Sequence, residues 1–299
     1  MYLIKKFSVL GLCLGLAPAL LAEDPAEPVV QLSEIKPGLH LLQGRGGNVV
    51  ASLGADGLLL VDDDYAELQN AYRTALDELA GEGSIPRYLL NTHWHFDHVG
   101  NNAYWGEQGT VILAHRNVRA RMSTRQEMKA FNRVVEASPA AALPVVTFED
   151  SLALHFNGLD VEVRHFPRGH TDGDSMVFFP SLNVVHTGDH YFFDRFPFID
   201  LGSGGDVRGY TANVAALLEV LDDRSVIVPG HGPLASRDDL QRFHDMLVAT
   251  TDLIEGHLEE GMPVEAIIEQ GLGAQWQAWG AGFIDEPTWI RIVAASVEG

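Results

Sequence analysis

Asn91-Thr92-His93-Trp94-His95-Phe96-Asp97-His98 decides the reading of this chain. Four groups able to hold a metal fall within six residues, directly after the apolar run 87–91. Alternate side chains of an extended segment share a face, so His93 and His95 point one way while Asp97 and His98 fall past the turn. A tight turn at a strand end aims some of these groups at one ion and the others at a neighbour. One isolated histidine is more often a core or surface residue than a ligand. Four such groups in one turn are poorly explained by chance.

Three later positions have the same character, each a His or Asp at the end of an apolar run and beside glycine: Gly169-His170-Thr171, Gly188-Asp189 and Pro229-Gly230-His231-Gly232. Loops at strand ends expose reactive groups while the scaffold holds them. Each signal is weak alone; in order after the His-rich turn they complete two sites.

Composition narrows the chemistry. Lys5 and Lys6, the apolar stretch 7–21, the small residues Ala17, Ala19 and Ala22, and the acidic Glu23 and Asp24 have the layout of a secretory signal peptide over 1–22, followed by one domain over 23–299. The apolar stretch carries Gly11, Gly15 and Pro18 and falls short of the roughly 20 residues a membrane-spanning helix needs, so no stable membrane anchor is expected. Leu12 stands where a lipoprotein would place a small residue before Cys13. The expected location is the periplasm or the exterior. Cys13 is the only cysteine, so the mature chain has no thiol, and any metal must be held by His and carboxylates, a set that suits zinc. The net charge of −21, or −23 without Lys5 and Lys6, repels phosphate backbones and anionic lipid. A small-molecule substrate is expected and nucleic acid is not; the sequence sets no oligomeric state.

Short strand-like runs at 39–43, 48–53 and 58–61 precede a helical pattern at 66–80 and a strand at 87–91. The order recurs with strands at 152–155, 161–165, 176–179 and 183–186, a helix near 210–221 and a strand at 225–228. Between the halves, 116–135 reads as a helix, with Arg116, Arg119, Arg121 and Arg125 on a solvated face, and 139–144 as a linker loop. Helices are expected at 240–259, 264–270 and 288–296. Strand-rich halves that each carry helices suggest two sheets packed face to face with helices outside, an α/β (α+β) protein, though other α/β layouts fit the periodicity.

The motif H-x-H-x-D-H, followed by a separate His, an Asp and a last His, resembles the metallo-β-lactamase superfamily, and the likeness runs from Gly46-Gly47-Asn48 to Pro229-Gly230-His231-Gly232-Pro233. The resemblance implies a four-layer αββα sandwich with metals in a cleft at one sheet edge. It implies that His93, His95 and His170 hold one Zn2+, that Asp97, His98 and His231 hold a second, and that Asp189 bridges the two. Asp62, in Leu60-Val61-Asp62-Asp63, matches the family's first-motif Asp, which supports the ligand loop from behind. Asp189 stands where one group of β-lactamases has Cys, which favours the glyoxalase II, lactonase and phosphodiesterase branches. The diiron flavoproteins of the fold carry Glu at the position of His95, which favours zinc, and the spacing leaves no room for the inserted domain of RNA-processing members.

The implied activity is water activation by two zinc ions and cleavage of a small ester, lactone, thioester or cyclic amide, β-lactams included, with Asp97 relaying the proton. His190, Phe192 and Phe193, in and after the Asp189 turn, are candidate substrate-pocket residues. Two other classes compete: an oxidoreductase like the persulfide dioxygenases, with one iron on His93, His170 and Asp189, and a non-catalytic periplasmic zinc-binding accessory protein.

Overall fold

The computed structural model describes residues 29–128 and 133–298; the signal-peptide segment lies outside the described residues. The first sheet is built from β1 (Gln31–Lys36), β2 (Leu39–Gln43), β3 (Val49–Gly54), β4 (Gly57–Val61), β5 (Tyr88–Asn91), β6 (Val111–His115) and β9 (Val146–Phe148), in that spatial order. Its first four strands form an antiparallel meander, and β4, β5, β6 and β9 run parallel. The second sheet follows the order β10 (Ser151–Phe156), β11 (Leu159–His165), β12 (Ser175–Phe179), β13 (Val184–His186) and β14 (Val226–Val228), with β13 and β14 parallel. Between the two lies a small hairpin of β7 (Gln126–Met128) and β8 (Arg133–Val135).

Alternation of side chains makes the layers. Leu39, Leu41, Val50, Leu59, Val61, Leu90 and Leu113 from the first sheet pack against Val161, Val163, Val177, Phe179, Val184 and Val228 from the second, forming the inner core. Their neighbours Leu42, Val49, Ala51, Leu58, Leu60, Leu89 and Ile112 point to the opposite face. There they meet Tyr72, Ala75 and Leu76 of α1 (Gln69–Ala80) and Trp105 of α2 (Asn102–Glu107). The outer face of the second sheet, with Met176, Phe178, Val185 and Ile227, is covered by α4 (Val207–Val220), α5 (Arg237–Glu259) and α7 (Glu286–Glu298). Strands buried on both faces read as continuous apolar runs, as Leu58-Leu59-Leu60-Val61 does. Three apolar interfaces separate four layers, the expected αββα sandwich. Among the described residues no helix is long and apolar enough to cross a membrane.

The expected helix at 116–135 is corrected. Only α3 (Arg116–Met122) is helical, and the rest turns into the β7–β8 hairpin. The Ser123 and Thr124 hydroxyls bond back to the carbonyls of Arg119 and Ala120, ending the helix, and β-branched Val134 and Val135 favour the strand that follows. Edge strands β1 and β9 escaped the sequence reading; both are short or largely exposed, so their apolar signal is weak. The remaining helix, α6 (Val264–Gln270), matches its expected span.

Candidate metal centre

Parallel strands bring the site together. β4 and β5 end side by side at Val61 and Leu90, and β13 and β14 end side by side at His186 and Val228. The loops leaving these ends carry Asp62, the 92–98 turn, Asp189 and His231, while His170 comes from the turn between β11 and β12. One ligand atom from each of His93, His95, His170 and Asp189 falls within 4.8 Å of the others, and the same holds for Asp97, His98 and His231. All seven sequence candidates therefore converge, in the two groups expected.

Asp189 joins the groups through its separate oxygens. Oδ2 lies 3.8 Å from His93 Nε2 and 3.5 Å from His170 Nε2. Oδ1 lies 3.0 Å from His98 Nε2 and 3.4 Å from His231 Nε2. Asp97 Oδ2 is 3.4 Å from His231 Nε2 and 3.8 Å from His98 Nε2. The approach of the chains demands glycine at two places. A Cβ on Gly230 would lie 2.0 Å from Asp189 Oδ1, and one on Gly47 would lie 2.2 Å from the His98 ring.

Outer hydrogen bonds fix the tautomers. His98 Nδ1 donates to Asp62 Oδ2 at 2.8 Å, and His170 Nδ1 donates to the Phe198 carbonyl at 2.7 Å. His95 Nε2 donates to Asp200 Oδ2 at 3.1 Å. The Thr92 hydroxyl gives its hydrogen to Asp62 at 2.7 Å and so accepts from His93 Nδ1 at 3.0 Å. His93, His95 and His170 therefore each turn an unprotonated nitrogen inward, while His98 turns Nε2 toward Asp97 and Asp189. His95 Nδ1 and His170 Nε2 face each other at 2.8 Å, and His93 Nε2 is buried without a hydrogen-bond partner among the described residues. Lone pairs that converge in a buried space call for a cation, so the residues present fit a metal.

The electrostatics agree. Burial, with the nearby charge of His98, drives His93 well below the usual imidazole range, and burial lowers His170 to about 4. Burial pushes Asp97 upward, but His98 and His231 outweigh it and hold the carboxyl at about 2. Burial also opposes charge on His98 and His231, yet the carboxylates around them win, raising His98 well above the usual range and His231 to about 9. Protons held this way occupy the positions a divalent cation would take.

Asp62 sits where the sequence placed it. It adopts φ 61°, a left-handed conformation held by Thr92 N–H, the Thr92 hydroxyl and His98.

Residues 54–231 match the profile of the metallo-beta-lactamase superfamily. The chain belongs to this superfamily. Among curated proteins it is 25% identical over 185 residues to a hydroxyacylglutathione hydrolase of Pelagibacter ubique, covering 59% of this chain and 66% of that one. It is 39% identical over 207 residues to an uncharacterised protein of Mycobacterium leprae, covering 65% and 88%. A metallo-beta-lactamase from Pontibacter korlensis superposes with TM-score 0.60 at 17% identity, over 73% of this chain and 98% of that one. The sec-alkylsulfatase Pisa1 from Pseudomonas sp. gives 0.65 at 16%, over 88% and 49%. These structural likenesses establish the metallo-beta-lactamase fold.

The superfamily cleft here is a cavity of about 300 Å³ beside the cluster, with Asp97, Asp189 and His231 on its floor and Phe192, Phe196 and Phe198 along a wall. Phe192 stacks on His231 with centroids 5.1 Å apart and planes 12° apart. His190 and Phe193 are corrected. His190 is buried outside the cavity lining, stacked on Tyr210 at 5.3 Å and bonded to Asn213 at 3.1 Å, because the tight 3-10 turn Gly188–His190 sends neighbouring side chains in different directions. Phe193 lies in the turn that follows, with its ring 6.2 Å from that of Tyr191 and outside the cavity lining.

Asp200 and the Phe198 carbonyl were missed from sequence. An Asp that closes an apolar run beside a glycine-containing turn, Phe198-Ile199-Asp200-Leu201-Gly202, is the signature already used for Asp189.

Proposed function

We propose that the protein is a dinuclear zinc hydrolase that cleaves a small ester, lactone, thioester or cyclic amide. One observation carries this reading: the two oxygens of Asp189 face two separate groups of imidazoles. His93, His95 and His170 would hold one ion and Asp97, His98 and His231 the other, with Asp189 shared. Zinc held by such a set lowers the pKa of bound water to about 7 and polarises a carbonyl, which supplies both nucleophile and electrophile at neutral pH.

The chain's own groups supply the rest. Asp97 is ionised at neutral pH, lies on the cavity floor and is the more exposed of the two central carboxylates, at 15% against 5% for Asp189. It accepts a proton from the attacking water and returns it to the departing amine, alkoxide or thiolate. As the carbon–oxygen bond forms, the bond to the leaving group breaks. Phe192, Phe196 and Phe198 hold an apolar acyl group and keep bulk water off it. A relative named hydroxyacylglutathione hydrolase supports acyl hydrolysis, and the signal-like segment 1–22 supports action in the periplasm or outside the cell on a substrate other than glutathione esters.

The test joins metal analysis to a substrate panel of chromogenic β-lactams, lactones, thioesters and phosphodiesters. Two zinc ions per chain with turnover of an acyl substrate is the expected result. One iron and no zinc would replace this reading with the persulfide dioxygenase-like oxidoreductase. Two tightly held zinc ions with no turnover of any substrate would favour the non-catalytic accessory protein.

A further inference from the structure

A second cavity, of about 180 Å³, lies behind the ligand turn. It is lined by Trp94 and Phe96, the residues that alternate with His93, His95 and Asp97, and by Val99, Ala103, Met122 and Val135. Arg121 also borders it, but its guanidinium is engaged by Asp172, so the stem is what it has to offer. Phe96 lines both this cavity and the one over the metal cluster, and is therefore the partition between them. The Arg133 guanidinium lies 3.7 Å from the centre of the Phe96 ring and braces it. Glu136, largely exposed, and Ser138 add polar groups to the lining, and Trp94 brings a buried one. Trp94 is 2% exposed and its indole N–H has no acceptor among the described residues. A buried donor left unpaired costs stability, and a ligand acceptor would recover it.

We propose that this cavity receives the acyl chain of the substrate, a flexible alkyl chain that passes Phe96 from the metal cluster and places a hydrogen-bond acceptor, such as a chain carbonyl or hydroxyl, near Trp94. Away from Arg121, Glu136 and Ser138 the lining is Val, Ala, Met and aromatic carbon, which suits an alkyl chain better than a rigid polar group. The chain rather than the ring of a cyclic substrate fits it, because the passage runs around a single side chain. This deepens the hydrolase reading and rests on it for the identity of the reaction, so binding and turnover are measured separately.

Binding is read on the full mature chain from its five tryptophan indole N–H resonances, with Trp94→Phe identifying the Trp94 signal and decanoate as the probe. Decanoate shifts that signal saturably, and Ala103→Phe or Val135→Phe, either of which fills the cavity without touching the metal cluster, abolishes the shift. Turnover is read with 4-nitrophenyl esters of increasing chain length. kcat/KM rises about tenfold for every two methylenes until the cavity is full, and the filled variants flatten that rise while keeping activity on the acetate. An unmoved Trp94 signal, or turnover indifferent to chain length, overturns the proposal and leaves the hydrolase reading standing. Decanoate binding with no turnover of any ester supports the chain-binding cavity and contradicts the hydrolase reading instead.

Discussion

Arg121 donates two hydrogen bonds to Asp172, Nε to Oδ1 and one terminal nitrogen to Oδ2, each 2.8 Å long. The pair ties α3, from the first half of the chain, to the turn that carries His170. Asn117 on the same helix donates to the Asp172 carbonyl at 2.8 Å. A bidentate Arg–carboxylate contact fixes both position and angle. The arginine that reads from sequence as part of a solvated face is thus a strut behind a candidate metal ligand.

Arg121→Met therefore loosens the His170 turn. The pair is partly buried, so a loss of about 1–2 kcal/mol is expected, with a drop in kcat and in metal affinity. Arg121→Lys restores little, because an ammonium cannot make the paired contact. Thermal unfolding and chelator competition on the two variants check this; unchanged metal retention in Arg121→Met would show that the strut does not bear on His170.

Asp62 holds Thr92 and His98 at once. Asp62→Asn keeps the shape but loses the negative charge and one acceptor, so metal affinity falls about 10- to 100-fold. Competition against a coloured chelator measures it. The second group of ligands suffers more than the first, because His98 belongs to it.

Gly230→Ala places a methyl where Asp189 Oδ1 stands. The neighbouring atoms are the carboxylate of a candidate ligand and backbone, neither of which yields cheaply. Activity is expected to fall at least tenfold with a full far-ultraviolet spectrum retained, measured as kcat and metal content in the same preparation.

Acid stability depends on two histidines away from the candidate metal centre. His115, closing β6, and His165, closing β11, stack with centroids 3.8 Å apart and planes 5° apart, joining the two sheets. Burial and then the His165 charge lower His115 to about 4, and burial lowers His165. A folded-state pKa below the unfolded value means that the unfolded chain binds the proton more tightly. Stability from His115 is therefore complete above about pH 6.5 and is lost as pH falls toward 4, by about 2–3 kcal/mol. Denaturant unfolding between pH 7 and 4 checks this, and His115→Asn, which can still cap α3, flattens the slope.

The sandwich and its metal cluster were legible for different reasons. The strands around the site are buried on both faces, so Leu58-Leu59-Leu60-Val61 and Val184-Val185-His186 stand out as apolar runs that stop at glycine or a polar group. The seven candidate ligands cluster at those stops. Edge strands β1 and β9 lacked such a signal because solvent covers one side of them. The residues that turn each imidazole, Thr92, Asp200 and the Phe198 carbonyl, act through hydrogen bonds across the chain, and a backbone carbonyl leaves no trace in sequence. His190 misled because adjacency in sequence reverses direction within a tight turn.

Anomalous diffraction at the zinc edge, on protein purified without added chelator, tests the two-ion arrangement most directly. Two peaks about 3.5–4 Å apart, one beside each oxygen of Asp189, are the expected result. A single peak on His93, His95 and His170 with none near His98 and His231, or no peak at all after zinc has been supplied, would contradict it.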